Sequence, residues 1–454
     1  MTDLIIIGAG PGGYETAVKA AKAGLQVTVI EAKAVGGTCL NEGCIPTKCF
    51  CRNAEVLEDT RNAACYGIAT GEIAFDLSKA VARKEEVIAK LAEGIRTLMK
   101  TPGITFIEGK ARFVDSHTIE IVTHDGHNET VCAKQIIIAT GSVTKYLPIE
   151  GAHCDGVVTS TEMLSLTALP RRLCIIGGGV IGLEFASIFH TFGSEVTVVE
   201  FCKEILPNFD RDIAKRLRTS LKKKGITFKT GAAVTAIRPK EGDEYTVVYE
   251  EKGKTNETTA DLVLMAVGRA ANIDSLNLAD IGIDFTPRGI KVDDHMQTNI
   301  PGVYAIGDIN GLCQLAHAAT FQGLRALNHI LGKEDSIRLD IIPAAVFTSP
   351  EAATVGLTEE ALGEQGTPYT VHKAFYRANG KALSMNADEG MVKILAGNDG
   401  TILGAHILGH SADVLIHEIA TIMNRQGTVE ELRNIIHAHP TLSELILAAA
   451  EDEK

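Results

Sequence analysis

Two cysteines, Cys39 and Cys44, stand in the segment Gly36-Gly-Thr-Cys-Leu-Asn-Glu-Gly-Cys-Ile-Pro-Thr-Lys48, with Cys49 and Cys51 close behind. Pro46 suits the first turn of a helix, which places Cys44 at or near the helix N-terminus. A thiolate is stabilised there by the aligned peptide dipoles. Lys48, four residues on, shares the face of Cys44. A cysteine pair beside a cation is suited to thiol–disulfide exchange. Zinc held by all four thiols is the rival reading, and a pair of inert structural cysteines is another. Against zinc, Cys44 and Cys49 on one helix would present awkward angles to a tetrahedral ion. Cys49 and Cys51 read better as packing residues.

Exchange needs a base for the thiol proton, and a histidine titrating near neutrality is the economical choice. His437 and His439 are the candidates in His437-Ala-His-Pro-Thr-Leu-Ser-Glu444. By residue type alone, a histidine before proline also fits a loop or core position. Glu444 could orient an imidazole, yet Thr441-Leu-Ser-Glu444 also reads as a capping box opening a helix over Leu442–Ala450. Both roles coexist only if each carboxylate oxygen serves one partner.

The elements that must position these groups are written as a repeat. Leu4-Ile-Ile-Ile-Gly-Ala-Gly-Pro-Gly-Gly13 recurs as Leu173-Cys-Ile-Ile-Gly-Gly-Gly-Val-Ile-Gly182, an offset of 169 residues. The same offset carries Gly8 to Gly177, Gly10 to Gly179, Gly13 to Gly182 and Glu31 to Glu200. Each copy is a strand, a glycine turn, a helix and a second strand tipped by a carboxylate, as dinucleotide binding demands. The first two glycines let the backbone approach a pyrophosphate at the helix N-terminus. The terminal glutamate can accept both hydroxyls of an adenosine ribose. At the second copy Glu200 would repel a 2′-phosphate, and Phe201 and Cys202 offer no arginine for one, so NAD is expected there. The first copy adjoins the cysteines, where a redox prosthetic group such as FAD belongs.

The chain has 454 residues, enough for about three domains, and 45% of them are hydrophobic. Its formal charge of −13 argues against a nucleic-acid or anionic-membrane binder. Apolar runs are strand-sized, so no membrane partner is expected, and the N-terminal residues lack a signal-peptide pattern. Ten cysteines, unevenly placed, fit a reducing compartment better than a disulfide framework, and the expectation is a cytoplasmic protein. An amphipathic helix is expected over residues 84–99, with Val87, Leu91, Ile95 and Leu98 on its apolar face. Strands are expected at Met391–Leu395 and Thr401–Leu408, helices from Ala412, and a solvated tail over 451–454.

Further segments, in this order, bring a family into view: Ile138-Ala-Thr-Gly141, Ala266-Val-Gly-Arg269, Thr298-Asn-Ile-Pro-Gly-Val-Tyr-Ala-Ile-Gly-Asp308, Pro343–Gly356 and the His437–Glu444 segment. Together with the Gly36–Lys48 segment, they resemble the pyridine nucleotide–disulfide oxidoreductases over essentially the whole chain, and especially the members that oxidise dihydrolipoyl groups. The resemblance implies an α/β fold, with two Rossmann-like dinucleotide-binding domains and a C-terminal α+β dimerisation domain. The implied boundaries are 1–144 for FAD binding, 145–269 for NAD, 270–342 completing the FAD region, and 343–454 for the interface.

By that resemblance Cys39 is the interchange thiol and Cys44 the thiol beside the flavin. Lys48 pairs with Glu184 near the flavin, and Asp308 binds its ribityl chain. Thr140, Gly141, Gly268 and Ala316 also belong to the cofactor sites. His439 is selected as the base, with Glu444 orienting it, and comes from the opposite subunit of a homodimer. The partner implied is a lipoyl-bearing protein of a 2-oxo acid dehydrogenase or glycine-cleavage complex. Two readings compete: a related reductase of another small disulfide, and a non-catalytic nucleotide-binding scaffold. The scaffold reading expects loss of a reactive residue, and all are present. The chain departs from the family at Glu42, where a small apolar residue is usual, and at Gln322, where glutamate is usual.

Overall fold

The computed structural model describes residues 2–240, 242 and 244–452. The chain falls into two compact units, one of residues 1–49, 79–145 and 268–339, the other of residues 50–78, 146–267 and 340–454.

The first unit is built on a parallel sheet. Strand Thr2–Ile7 pairs on one side with Val27–Glu31 and on the other with Asn128–Ile138. Ile104–Asp115 extends the sheet beyond Val27–Glu31, and Val303–Ala305 extends it beyond Asn128–Ile138. Thr2–Ile7, Val27–Glu31 and the end of Asn128–Ile138 carry apolar runs buried on both faces. Ile5, Ile7, Ile136 and Ile138 pack into one core, and Leu4, Ile6, Val29 and Ile137 into another. A residue from near position 300 thus completes a sheet begun at position 2.

The second unit holds a matching parallel sheet, in the order Thr227–Thr230, Glu195–Glu200, Arg172–Ile176, Leu262–Met265 and Val157–Val158. Its register repeats that of the first: Leu4 lies opposite Val27, and Leu173 opposite Val196. An antiparallel sheet of Ala344–Val346, Ala352–Gly356, Ile402–Leu408, Met391–Ala396 and Thr370–Phe375 belongs to the same unit. Helices Ala412–Asn424 and Glu444–Ala450 bury Ile416, Ile419, Ile446 and Ala449 in its core. Among the described residues no helix is long and apolar enough to cross a membrane.

Three expectations are corrected. The amphipathic helix spans Leu77–Leu98, and its buried stripe runs through Leu77, Ala80, Lys84, Ala92 and Ile95, while Leu91 and Leu98 are exposed. Periodicity located the helix, but its rotation followed packing on Val35 and Leu40, which share a core with Ala92 and Ile95. The last helix begins at Glu444 rather than at Leu442. The tail is not simply solvated, because the Lys373 N–H donates to the Asp452 carboxylate at 3.0 Å; Glu453 and Lys454 lie outside the described residues.

Candidate active site

Both glycine turns have the same steric logic. Gly8 and Gly177 adopt φ of +107° and +110°, and a Cβ on them would lie 2.4 Å and 2.3 Å from the Ala139 and Ala266 carbonyl oxygens. A Cβ on Gly13 or Gly182 would lie 1.9 Å or 2.0 Å from the carbonyl oxygen of Gly8 or Gly177. Only the middle glycines face open space, Gly179 with nothing within 4 Å and Gly10 with only the Gly37 Cα at 4.0 Å. The first glycine therefore serves the crossing of neighbouring strands, and the middle one alone leaves room for a ligand, a refinement of the sequence reading.

Gly10 and Gly179 cap helices Pro11–Lys22 and Val180–Phe192, with no side-chain cap and no acid in the first turn of either. Orphan N–H groups and a positive dipole end are left aimed at that space. The residues present fit a pyrophosphate at each turn.

The two acids are pinned alike. Glu31 accepts from the Ala9 N–H at 2.6 Å and the Lys33 N–H at 2.8 Å. Glu200 accepts from the Gly178 and Cys202 N–H groups, both at 2.5 Å. A carboxylate has about four acceptor sites, so each retains capacity for ribose hydroxyls.

Cys44 opens the helix Cys44–Arg61, as the Pro46 argument expects, and Cys39 sits in the preceding short helix Gly37–Asn41. None of the ten cysteines is in a disulfide, and Cys49 and Cys51 are buried, the Cys51 thiol donating to the Phe347 carbonyl at 3.4 Å. The Cys39 thiol is hydrogen-bonded to Cys44, and that bond first, then burial, raises its pKa far above the ordinary thiol value, while the charge of Lys48 opposes the rise. The two sulfurs thus act on one another directly, with the Cys39 proton held more tightly than that of an ordinary thiol. No zinc cluster forms here: among the described residues only Asp210, Asp212 and Glu359 approach metal-binding geometry, and the Lys393 ammonium already sits among them.

Asp308 accepts from the Ser142 hydroxyl at 2.5 Å, in a short helix whose backbone is held by the buried Gln322. Thr140 donates to the Asn272 carbonyl at 3.2 Å, and Gly141 and Gly268 have positive φ with open space around them. Ala316 begins helix Ala316–Ile330, which also lacks a side-chain cap. Glu184 is buried rather than a solvated helix carboxylate, and accepts from the Phe347 N–H at 3.0 Å.

Geometry separates the two histidines. The His437 side chain is 4% exposed, with Nε2 2.7 Å from Glu418 and Nδ1 3.0 Å from the Ile435 carbonyl, so both nitrogens are used. His439 is 80% exposed, and among the described residues only its Nδ1 is engaged, 2.9 Å from Glu444 Oε1. The other oxygen, Oε2, accepts from the Thr441 N–H at 2.8 Å. One oxygen serves each partner, which is the condition for both roles to coexist. The Glu444 carboxyl lies below its ordinary pKa because of the Thr441 N–H first and His439 second. The capping box itself is half-made, since the Thr441 hydroxyl donates to Ala438 instead.

One residue escaped sequence reasoning. Arg269 donates through Nε to the Ser142 hydroxyl at 2.7 Å and through Nη2 to the Ser142 carbonyl at 2.7 Å. Its only signal in the sequence was its place at the end of Ala266-Val-Gly-Arg269.

Two matched nucleotide cradles, with a hydrogen-bonded dithiol at a helix start in the unit of the first, define an oxidoreductase that moves electrons between thiols and nucleotides. Residues 2–323 match the pyridine nucleotide-disulphide oxidoreductase family, and residues 342–450 its dimerisation domain. The chain is 39% identical over 453 residues to the mitochondrial dihydrolipoyl dehydrogenase of Pisum sativum, covering 99% of this chain and 90% of that one. It is likewise 39% identical to a dihydrolipoyl dehydrogenase of Bacillus subtilis, covering 99% of this chain and 96% of that one. Among solved structures, LpdA of Mycobacterium tuberculosis aligns with a TM-score of 0.91 at 30% identity, covering 99% of each chain. The HOCl-induced flavoprotein disulfide reductase RclA of Escherichia coli aligns at 0.88 and 31%, covering 100% of each. The chain belongs to the pyridine nucleotide-disulphide oxidoreductase family. Its cofactors are accordingly FAD and NAD(H).

Proposed function

We propose that this enzyme oxidises protein-bound dihydrolipoyl groups with NAD⁺, as a cytoplasmic homodimer serving a 2-oxo acid dehydrogenase or glycine-cleavage complex. The observation that carries the reading is the Cys39–Cys44 pair, hydrogen-bonded to one another with Cys44 at a helix N-terminus. Residues 1–144 and 270–342 hold FAD through Gly8, Gly10, Gly13, Glu31, Thr140, Gly141, Asp308 and Ala316. Residues 145–269 hold NAD through Gly177, Gly179, Gly182 and Glu200. Residues 343–454 form the dimer interface, across which the partner subunit's His439 completes each active site.

When bound, FAD would supply a two-electron relay between the dithiol and NAD⁺. The chain's own residues handle sulfur and protons. In the oxidised protein, a substrate thiolate attacks Cys39 Sγ, the Cys39–Cys44 bond breaks, and Cys44 leaves as a thiolate favoured by the helix dipole and Lys48. The partner subunit's His439 takes the proton from the second substrate thiol. That sulfur closes the substrate disulfide and expels Cys39, which recovers the proton from the same imidazole. Two electrons and one proton then reside on the pair, the state in which the two sulfurs share a hydrogen bond. Glu444 keeps the imidazole oriented, and Lys48 supplies positive charge near the thiol pair.

An anaerobic absorption titration with dihydrolipoamide, followed by NAD⁺, tests this. A long-wavelength thiolate–flavin band that collapses as NADH forms is the expected result. A yellow protein that ignores dihydrolipoamide but develops the band with NADH would retain the thiol relay and replace the substrate with another small disulfide. Protein without flavin would return the chain to a scaffold role.

A further inference from the structure

Glu42 lies between the two reactive cysteines, where its charge opposes a nearby thiolate. Its near cation, Lys33, stands 3.6 Å away and is 80% exposed, so solvent screens most of that compensation. A second cation comes from the distant segment that ends the Ala266–Arg269 motif. The Arg269 guanidinium grips Ser142 through two donors, and Ser142 in turn donates to Asp308 at 2.5 Å. From that anchor, Nη2 reaches 3.5 Å from the hydroxyl of Thr38, the residue preceding Cys39. The Thr38 carbonyl accepts from the Glu42 N–H at 2.9 Å, so Arg269 abuts the turn that carries Glu42.

We propose that Arg269 is a positioning residue for the thiol pair, a cation fixed by Ser142 and Asp308 that offsets Glu42 and favours the thiolate form of Cys44. The proposal rests on the thiol relay of the preceding section but not on the identity of its substrate. A fork held on both the carbonyl and the hydroxyl of one serine cannot swing away as a lysine could. Burial lowers the pKa of the guanidinium, while Asp308, Glu42 and Cys44 each act to keep it charged. Among the groups around the pair are Lys48 on the helix that Cys44 opens, Tyr14 on the helix Pro11–Lys22, Asp308, Glu42 and Arg269. Lys48 and Arg269 are the two cations among them, and only Arg269 is tied to the segment that carries Asp308.

The test is the pH dependence of iodoacetamide alkylation at Cys44 in the reduced holoenzyme, read by peptide mass spectrometry. Arg269→Met should move the midpoint for Cys44 up by about one pH unit, the usual effect of removing one close opposite charge. Arg269→Lys should recover part of that shift. Glu42→Gln, which leaves the Ser142 anchor intact, should move the midpoint down and serves if Arg269→Met fails to retain flavin. An unmoved midpoint in Glu42→Gln, or equal shifts for Arg269→Met and Arg269→Lys, would overturn the proposal. Alkylation needs no lipoyl substrate. A shifted midpoint in a protein that ignores dihydrolipoamide would therefore sink the substrate and keep Arg269, whereas full turnover with an unmoved midpoint would do the reverse.

Discussion

Replacing Lys393 by methionine should loosen the second unit, and the size of the effect follows from the geometry. The Lys393 side chain is 1% exposed, and its Nζ lies 2.8 Å and 2.9 Å from the two oxygens of Asp210, itself fully buried. Nζ also meets Asp212 at 3.2 Å and contacts Glu359. Methionine fills the space of the stem but leaves the Asp210 charge without its ammonium. Removing one partner of a buried ion pair costs about 3–5 kcal/mol. Asp212 and Glu359 are partly exposed and can turn to water, so the lower figure, about 3 kcal/mol, is expected. A multidomain flavoprotein does not unfold in two states, so a local assay is required. Amide hydrogen exchange in strand Met391–Ala396 reports its opening free energy directly, and about 3 kcal/mol corresponds to roughly a hundredfold faster exchange. Adding Asp210→Asn should recover much of the loss, since asparagine removes the stranded charge and can still cap helix Arg211–Lys224 as Asp210 does through the Asp212 N–H at 3.0 Å. Exchange that accelerates less than about fivefold in Lys393→Met, or a double variant looser than the single, would refute the reasoning.

The same cluster sets an acid limit. Burial, aided by Lys393 and opposed by Asp210, pushes His406 down from 6.5 to about 4. Between those values the unfolded chain binds a proton that the folded chain refuses, so stability falls with falling pH by about 3 kcal/mol in total. The opening free energy of strand Ile402–Leu408, read by amide hydrogen exchange and corrected for the intrinsic pH dependence of exchange, should decline from about pH 6.5 to about pH 4, and His406→Gln should flatten that limb. At the site, His439→Ala should slow the thiol half-reaction by about 10²–10⁴-fold in stopped flow while sparing flavin–nucleotide exchange, and equal slowing of both would count against its role as base. Glu200→Gln should weaken NADH by about tenfold in equilibrium titration and relax discrimination against NADPH, because a charged ribose acceptor is lost.

Much of this protein was legible in the chain because the relevant physics is local. A glycine turn between an apolar strand and a helix, with an acid about twenty residues on, specifies its own geometry, and the repeat even predicts matching registers. The place of Cys44 at a helix start followed from Pro46, and the strands Met391–Ala396 and Ile402–Leu408 from their apolar runs. What the chain could not reveal depended on contacts between distant segments. Local pattern marks an apolar face but not which neighbour covers it, so Leu91 and Leu98 are exposed while Lys84 is buried. Lys393, a charge in the middle of a strand, gave no hint that Asp210 would arrive from another part of the chain to neutralise it. His437 and His439 are alike by residue type, and Glu418, far back in the sequence, decided between them by occupying the first. Arg269 acquired its place beside the reactive turn only when the strand Arg269–Ala271 paired with Ser142–Thr144. Residue type and spacing thus fixed which groups can react; burial and long-range charge, which exist only in the folded chain, decided which of them are poised to do so.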